Sequence, residues 1–262
     1  MDPKYLFGEK AEYYAKFRPG YPSEAIEFLR RFLALDRQSI IADVGSGTGI
    51  FSRLLIDAGY IVLGIEPDPL MRRAAIEGLG SSPRFRSVVG CAEDTGLPSA
   101  SVDLVTAAQS FHWFDPVRSC SEFNRILKVG GSVVLVWNER RSGGSPFVDA
   151  LHLLLKRMLE EYNGDSSLYE AKPQSLAATL FGDSRSTVES FPNRQVLDQH
   201  GLIGRVMSSS YAPSTSHPRH LDWCAALEEL YLKHCDRSGV TIEYDTVLIH
   251  GSPLAGGPRP TS

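Results

Sequence analysis

The chain has 262 residues, enough for one large α/β domain with its own core. Hydrophobic residues make up 42% and charged residues 22%, which excludes a disordered chain. The formal net charge of −4 argues against a nucleic-acid partner, which would ask for a basic face.

Cys91, Cys120, Cys224 and Cys235 show no C-x-x-C or zinc spacing, and no metal is expected. They read as reduced thiols in a cytoplasmic protein. The opening M-D-P-K-Y-L-F-G-E-K lacks a signal-peptide core. No apolar run approaches the ~20 residues of a membrane helix, so no membrane partner is expected.

Residues 6–22, L-F-G-E-K-A-E-Y-Y-A-K-F-R-P-G-Y-P, are aromatic and basic without strand or clean helical periodicity. A helix follows from Ser23, with Ile26, Leu29, Phe32 and Leu33 as its apolar stripe. Ile40 to Ser52, I-I-A-D-V-G-S-G-T-G-I-F-S, then reads as strand, glycine turn and helix. Its apolar start suits a buried parallel strand. Gly45, Gly47 and Gly49 permit positive φ and let a ligand approach bare backbone. The helix behind them points its free N–H groups at that ligand.

A second strand, Tyr60 to Ile65, ends at Glu66, placed to accept hydrogen bonds from both hydroxyls of a ribose. The glycine spacing is G-x-G-x-G, with Ile50 where a dinucleotide fingerprint would have its third glycine. D-V-G-S-G-T-G followed by a strand ending in an acid resembles motif I and its partner in class I S-adenosylmethionine-dependent methyltransferases. The resemblance implies S-adenosyl-L-methionine as cofactor, contacted by Gly45, Ser46, Gly47, Glu66 and Pro67. Within that family, A-x-x-Y-A-x-x-R-P-x-Y-P looks like the N-terminal segment of relatives of trans-aconitate methyltransferase, which lies across the cofactor. Tyr14 and Arg18 carry over: an aromatic face for the sulfonium cation and a guanidinium for a carboxylate.

Asp68-Pro69 starts the next helix, on which Met71 reads as core more readily than as an adenine contact. A third strand, Phe85 to Val89, leads into G-C-A-E-D-T-G-L-P, similar to the family's adenine-flanking G-D-A-E-x-L-P. Ala92 and Glu93 are the expected adenine contacts, and Cys91 stands where the family often has aspartate. A fourth strand, Ser101 to Ala108, delivers Q-S-F-H-W-F-D-P, and Gln109 to Phe114 should line the reaction site at its carboxyl end. His112 is the candidate general base, since its ordinary pKa lies near operating pH. Trp113 and Phe114 are expected to form a wall for substrate or sulfonium, and Trp113 and Tyr14 join His112 as catalytic candidates.

Asp115-Pro116 caps another helix, and L-K-V-G-G-S-V-V-L-V matches the family's L-K-P-G-G turn into a fifth strand, Ser132 to Trp137. An amphipathic helix opens at Ser145-Pro146. Residues 142–194 are expected to form a lid or substrate insertion, and Gly204 to Tyr211 the sixth strand. His220 to Cys235 reads as a helix, Ile242 to His250 as an antiparallel seventh strand, and 251–262 as a disordered tail.

The expected architecture is α/β: a Rossmann-like, mostly parallel seven-stranded sheet with helices on both faces and a helical lid, one domain over residues 1–250. The expected reaction is methyl transfer to an oxygen, less readily a nitrogen, of a small molecule such as a carboxylic acid, phenol or natural product. Two alternatives stand beside it: a nicotinamide-dependent oxidoreductase on a related fold, and a non-catalytic S-adenosylmethionine-binding protein. The partner is a small-molecule substrate, and the chain is a monomer or homodimer.

Overall fold

A computed structural model describes residues 10–141, 143–163, 173–182 and 186–254. Seven strands form one sheet in the order β3-β2-β1-β4-β5-β7-β6. These are β1 (Ile40–Val44), β2 (Ile61–Ile65), β3 (Phe85–Val88), β4 (Val102–Ala108), β5 (Leu127–Arg140), β6 (Ser186–Leu197) and β7 (Val240–Gly251). The first five pair in parallel, and β7 runs antiparallel between β5 and β6. The strand order reverses beside β1, where β2 and β4 flank it, so the carboxyl ends of β1 and β4 open a crevice.

Helices cover both faces. On one, α2 (Ser23–Phe32) and α3 (Ile50–Asp57) bury Ala25, Leu29, Phe51 and Leu55 against Ile41, Val62, Leu104 and Val134. On the other, α5 (Pro116–Ile126) and α7 (Pro173–Phe181) bury Phe123, Ile126, Leu180 and Phe181 against Val105, Val133 and Ile249. The Asp-Pro starts act as expected. Asp68 Oδ1 accepts from the amides of Leu70 and Met71 to begin α4 (Pro69–Leu79), and Asp115 does the same for α5.

A second core stands at the carboxyl end of the sheet. There α6 (Pro146–Asn163), α8 (Gln199–Met207) and α9 (His220–His234) pack Leu151, Leu155, Leu202, Val206, Trp223 and Leu227 on Leu197, Ile242 and Tyr244. Trp223 is 1% exposed at its centre. Trp223→Ala should therefore cost about 3–5 kcal/mol of stability, read as a lower urea midpoint, because a cavity that size cannot close.

Several expectations are corrected. The sixth strand is Ser186–Leu197, so residues 186–194 belong to the sheet and not to an insertion. Its alternating half-buried pattern is that of an edge strand, which also tolerates Pro192. Gly204 to Tyr211 is the end of α8 and the turn beyond it. Asp198 caps that helix through Gly201 N at 2.6 Å, and Leu202 and Val206 recur at helical spacing. The N-terminal segment is helical over Ala11–Phe17 (α1), with residues 6–9 outside the described ones. The chain stays packed to Leu254, whose amide donates to Leu180 O at 3.0 Å, while residues 255–262 lie outside the described ones.

Candidate active site

The glycine turn is built by three left-handed residues. Gly45, Gly47 and Gly49 have φ of 67°, 56° and 84°. Their surroundings differ. A Cβ on Gly45 would sit 2.6 Å from Ser110 Cβ, and one on Gly49 2.5 Å from Leu79 Cδ1. A Cβ on Gly47 would meet nothing nearer than Tyr14 Cε1 at 3.9 Å. A side chain on either outer glycine would be blocked by packing, whereas the Cβ position of Gly47 is open toward the cleft.

That cleft has two adjoining lobes, of about 690 and 440 Å³ including space open to solvent. Tyr14, Gly45 and Gln109 line both. Glu66, Pro67, Asp68, Met71 and the Cys91–Glu93 turn line the larger lobe, with Ser110, Trp113 and Phe114 opposite. Arg18, Tyr21, Asp43, Ser46 and Asn138 line the smaller.

Glu66 is buried at the floor of the larger lobe. Its Oε2 accepts from Gly47 N and its Oε1 from Asp68 N, each at 2.9 Å. Burial outweighs these bonds and pushes its pKa up to about 7. Each oxygen retains a lone pair for a further donor. Asp43 is deeper still, 1% exposed, accepting from Ser52 Oγ at 2.5 Å and Thr106 Oγ1 at 3.0 Å. Burial raises its pKa to about 6 against those two hydroxyls.

Gln109 ends β4 with φ 57°, a strained conformation for a residue with a side chain, held by its amide on Val136 O at 2.8 Å. Trp113 follows on a 3₁₀ turn, Phe111–Trp113. His112 lies on the same turn but is exposed and outside the lining of either lobe. Its ring leans on Trp113, with centroids 4.8 Å apart. Desolvation by its neighbours and then the Arg18 charge lower its pKa, to about 4. The imidazole is neutral at physiological pH. The structure thus sets His112 outside the lining of both lobes, beside Trp113 at the rim.

Tyr14 comes from α1, and the Arg18 guanidinium packs over its ring at 4.7 Å. One ring face expected for a sulfonium is therefore already met by a cation of the chain itself. Glu93 has a role the sequence did not suggest: its Oε1 accepts from Asp115 N at 2.9 Å and ties the adenine-side turn to the start of α5. Ser110 and Phe114 line the cleft as the Gln109–Phe114 expectation has it, while Asp43 and Tyr21 line it without having been singled out as site residues. Asp43 alone carried a signal, an acid inside an apolar strand two residues before the first glycine.

The residues present fit an adenosyl sulfonium ligand. The open backbone at Gly47 and the spare lone pairs of Glu66 face one lobe. In the other, the Nε of Arg18 is buried without a hydrogen-bond partner among the described residues. A buried donor of this kind is ordinarily paired, and one that lines a cleft is placed to meet a bound ligand or water.

Residues 42–135 match the model of a methyltransferase domain. An uncharacterised methyltransferase of Mycobacterium tuberculosis is 38% identical over 142 residues, 53% of this chain and 54% of that protein. The chain thus spans about half the length of such curated relatives. One from Schizosaccharomyces pombe is 26% identical across 76% of this chain and 78% of its own. Among solved structures, one assigned as a type II methyltransferase from Anaeromyxobacter dehalogenans superposes with a TM-score of 0.65. It is 24% identical and covers 90% of this chain and 98% of its own. Haemonchus contortus phosphoethanolamine N-methyltransferase 2, solved with S-adenosyl-L-methionine, gives 0.53 at 15% identity, over 95% of this chain and 57% of that one. These superpositions establish the Rossmann-like methyltransferase fold.

Proposed function

We propose that this chain, which carries a methyltransferase domain on the class I fold, transfers a methyl group from S-adenosyl-L-methionine to an oxygen of a small molecule. The observation that carries the reading is the pairing of the bare Gly47 backbone with the buried Glu66 carboxylate across one lobe. Glu66 takes the ribose hydroxyls, Ala92 and Glu93 flank the adenine beside Pro67, and Gly45, Ser46 and Gly47 follow the chain toward the methionine end. Tyr14 and Arg18 close that end from α1.

When bound, the sulfonium supplies both an electrophilic methyl and its own leaving group. The protein's work is alignment and exclusion of water. Trp113, Phe114 and Tyr14 form the wall, and Gln109 fixes the end of β4. A carboxylate acceptor needs no base, whereas a hydroxyl acceptor would draw on neutral His112 at the rim. Incubating the protein with methyl-labelled S-adenosylmethionine and a panel of acids, phenols and natural products should transfer label to at least one. Label transfer to none, with a nicotinamide dinucleotide bound instead, would sink the reading.

Glu66 also predicts a pH dependence. In the free protein its pKa is raised to about 7. Hydroxyl donors from a ribose favour the ionised form and lower it, so binding expels a proton. Affinity should therefore rise with pH through 7 and level off above it. Calorimetry in two buffers of different ionisation enthalpy should report proton release near pH 7, and Glu66→Gln should abolish it.

A further inference from the structure

Arg18 to Pro22 reads R-P-G-Y-P. Each proline disfavours the helical region for the residue before it, so the chain leaves α1 extended, with Arg18 at φ −68° and ψ 144°. Neither proline has an amide to donate, and the carbonyls of such a strap need partners from elsewhere. The sheet supplies them. Gly20 O accepts from Asn138 Nδ2 at 3.0 Å and from Asn193 Nδ2 at 2.9 Å. Phe17 O accepts from Gln195 Nε2 at 2.9 Å. The two asparagines are themselves oriented. Asn138 Oδ1 accepts from Thr246 Oγ1 at 2.5 Å, and Asn193 Oδ1 from Arg194 N at 2.8 Å. Side chains of β5, β6 and β7 thus fasten one carbonyl at the centre of the strap.

That fastening sets Tyr21, the next residue. Its ring meets Phe51 on the first turn of α3 edge-on, with centroids 5.0 Å apart and planes at 76°. Both residues line the smaller lobe together with Arg18 and Asp43. No hydrogen bond among the described residues engages the Tyr21 hydroxyl. Burial first, then neighbouring Tyr14 and Asp43, push its pKa well up, against Arg18, so the group is a neutral O–H. Those three neighbours all line the same lobe, which is where the oxygen therefore lies. The buried Nε of Arg18 is a second spare donor there. The methionine end of the proposed cofactor carries a carboxylate that can accept from both. We propose that Tyr21 is a further cofactor-contacting residue, donating to that carboxylate beside Arg18, and that Asn138 and Asn193 are the positioning residues that hold it there through Gly20.

This inference rests on the methyl-transfer reading, and two ligands separate them. S-adenosylhomocysteine carries the amino-acid end, and methylthioadenosine is the same nucleoside thioether without it. Both are titrated calorimetrically into wild type and variants. Tyr21→Phe keeps the ring on Phe51. It should weaken S-adenosylhomocysteine about tenfold and leave methylthioadenosine unchanged. Asn193 lies outside the lining of both lobes, so its substitution tests the strap without touching the ligand. Asn193→Ala should weaken S-adenosylhomocysteine about threefold or more, again sparing methylthioadenosine, because an unfastened strap must be ordered on binding. Its cost should be smaller in the Tyr21→Phe background than in wild type. Asn193→Gln, which keeps a donor, should recover part of the loss. Unchanged S-adenosylhomocysteine affinity in Tyr21→Phe overturns the proposal. So does equal weakening of both ligands, which marks a general loosening of the fold. Additive losses in the double variant overturn the positioning role of Asn193. If neither ligand binds wild type, the methyl-transfer reading falls and takes the inference with it. If both bind, that reading stands and the variants alone decide.

Discussion

Glu66→Ala should weaken S-adenosylmethionine binding by about 1.5–3 kcal/mol, with the fold kept. The lower figure is one charge-assisted hydrogen bond to a ribose hydroxyl, and the upper approaches two. The same substitution frees the amides of Gly47 and Asp68, which Glu66 now receives at 2.9 Å each. The glycine turn and the start of α4 should then loosen, and part of the lost affinity should appear as unfavourable binding entropy. Glu66→Gln is the sharper control. It keeps an acceptor on one atom and places an N–H₂ on the other, against an amide that also donates. It should lose affinity while binding without proton release. Calorimetric titration of wild type and both variants decides it. Equal affinity in all three would mean that the ligand's hydroxyls lie elsewhere, and the pocket assignment would fall.

The first half of the chain was legible because its motifs are demanded by backbone geometry. Positive φ at Gly45, Gly47 and Gly49 can be read from residue type, as can the Asp-Pro starts of α4 and α5. What failed was set by distant partners. Helix α1 has no apolar stripe of its own. Its Phe17 lies against Gly204, where a Cβ would come within 2.5 Å of the ring at Cε2, and that notch is 187 residues away in sequence. The edge strand β6 exposes every other residue and includes Pro192, so its sequence resembles a loop. Arg205 looks like a solvated helix residue until α8 is seen turned inward. His112 was picked for its ring chemistry, and the position of a ring relative to a rim is decided by the 3₁₀ turn, which periodicity does not reveal.

The same geometry makes two neighbouring glycines fail in different ways. Gly45→Ala should destabilise the protein by about 2–5 kcal/mol. Left-handed φ costs a side chain about 1–2 kcal/mol, and overpacking a closed core adds about 1–3. The overpacking here is severe, because the new methyl would lie 2.6 Å from Ser110 Cβ. Ser110 can yield little, since its hydroxyl donates to Val44 O at 2.8 Å and its own backbone leads into the strained Gln109. Gly47→Ala carries the strain of φ 56° without the clash, so its stability cost should stay near 1–2 kcal/mol. Its methyl would instead occupy the space the ligand needs, and S-adenosylmethionine affinity should drop at least tenfold. Urea unfolding and calorimetry on the two variants therefore give a crossed pattern: a large loss of stability at Gly45 and a large loss of affinity at Gly47. A folded Gly47→Ala protein that binds as tightly as wild type would show that the bare backbone is not where the ligand approaches.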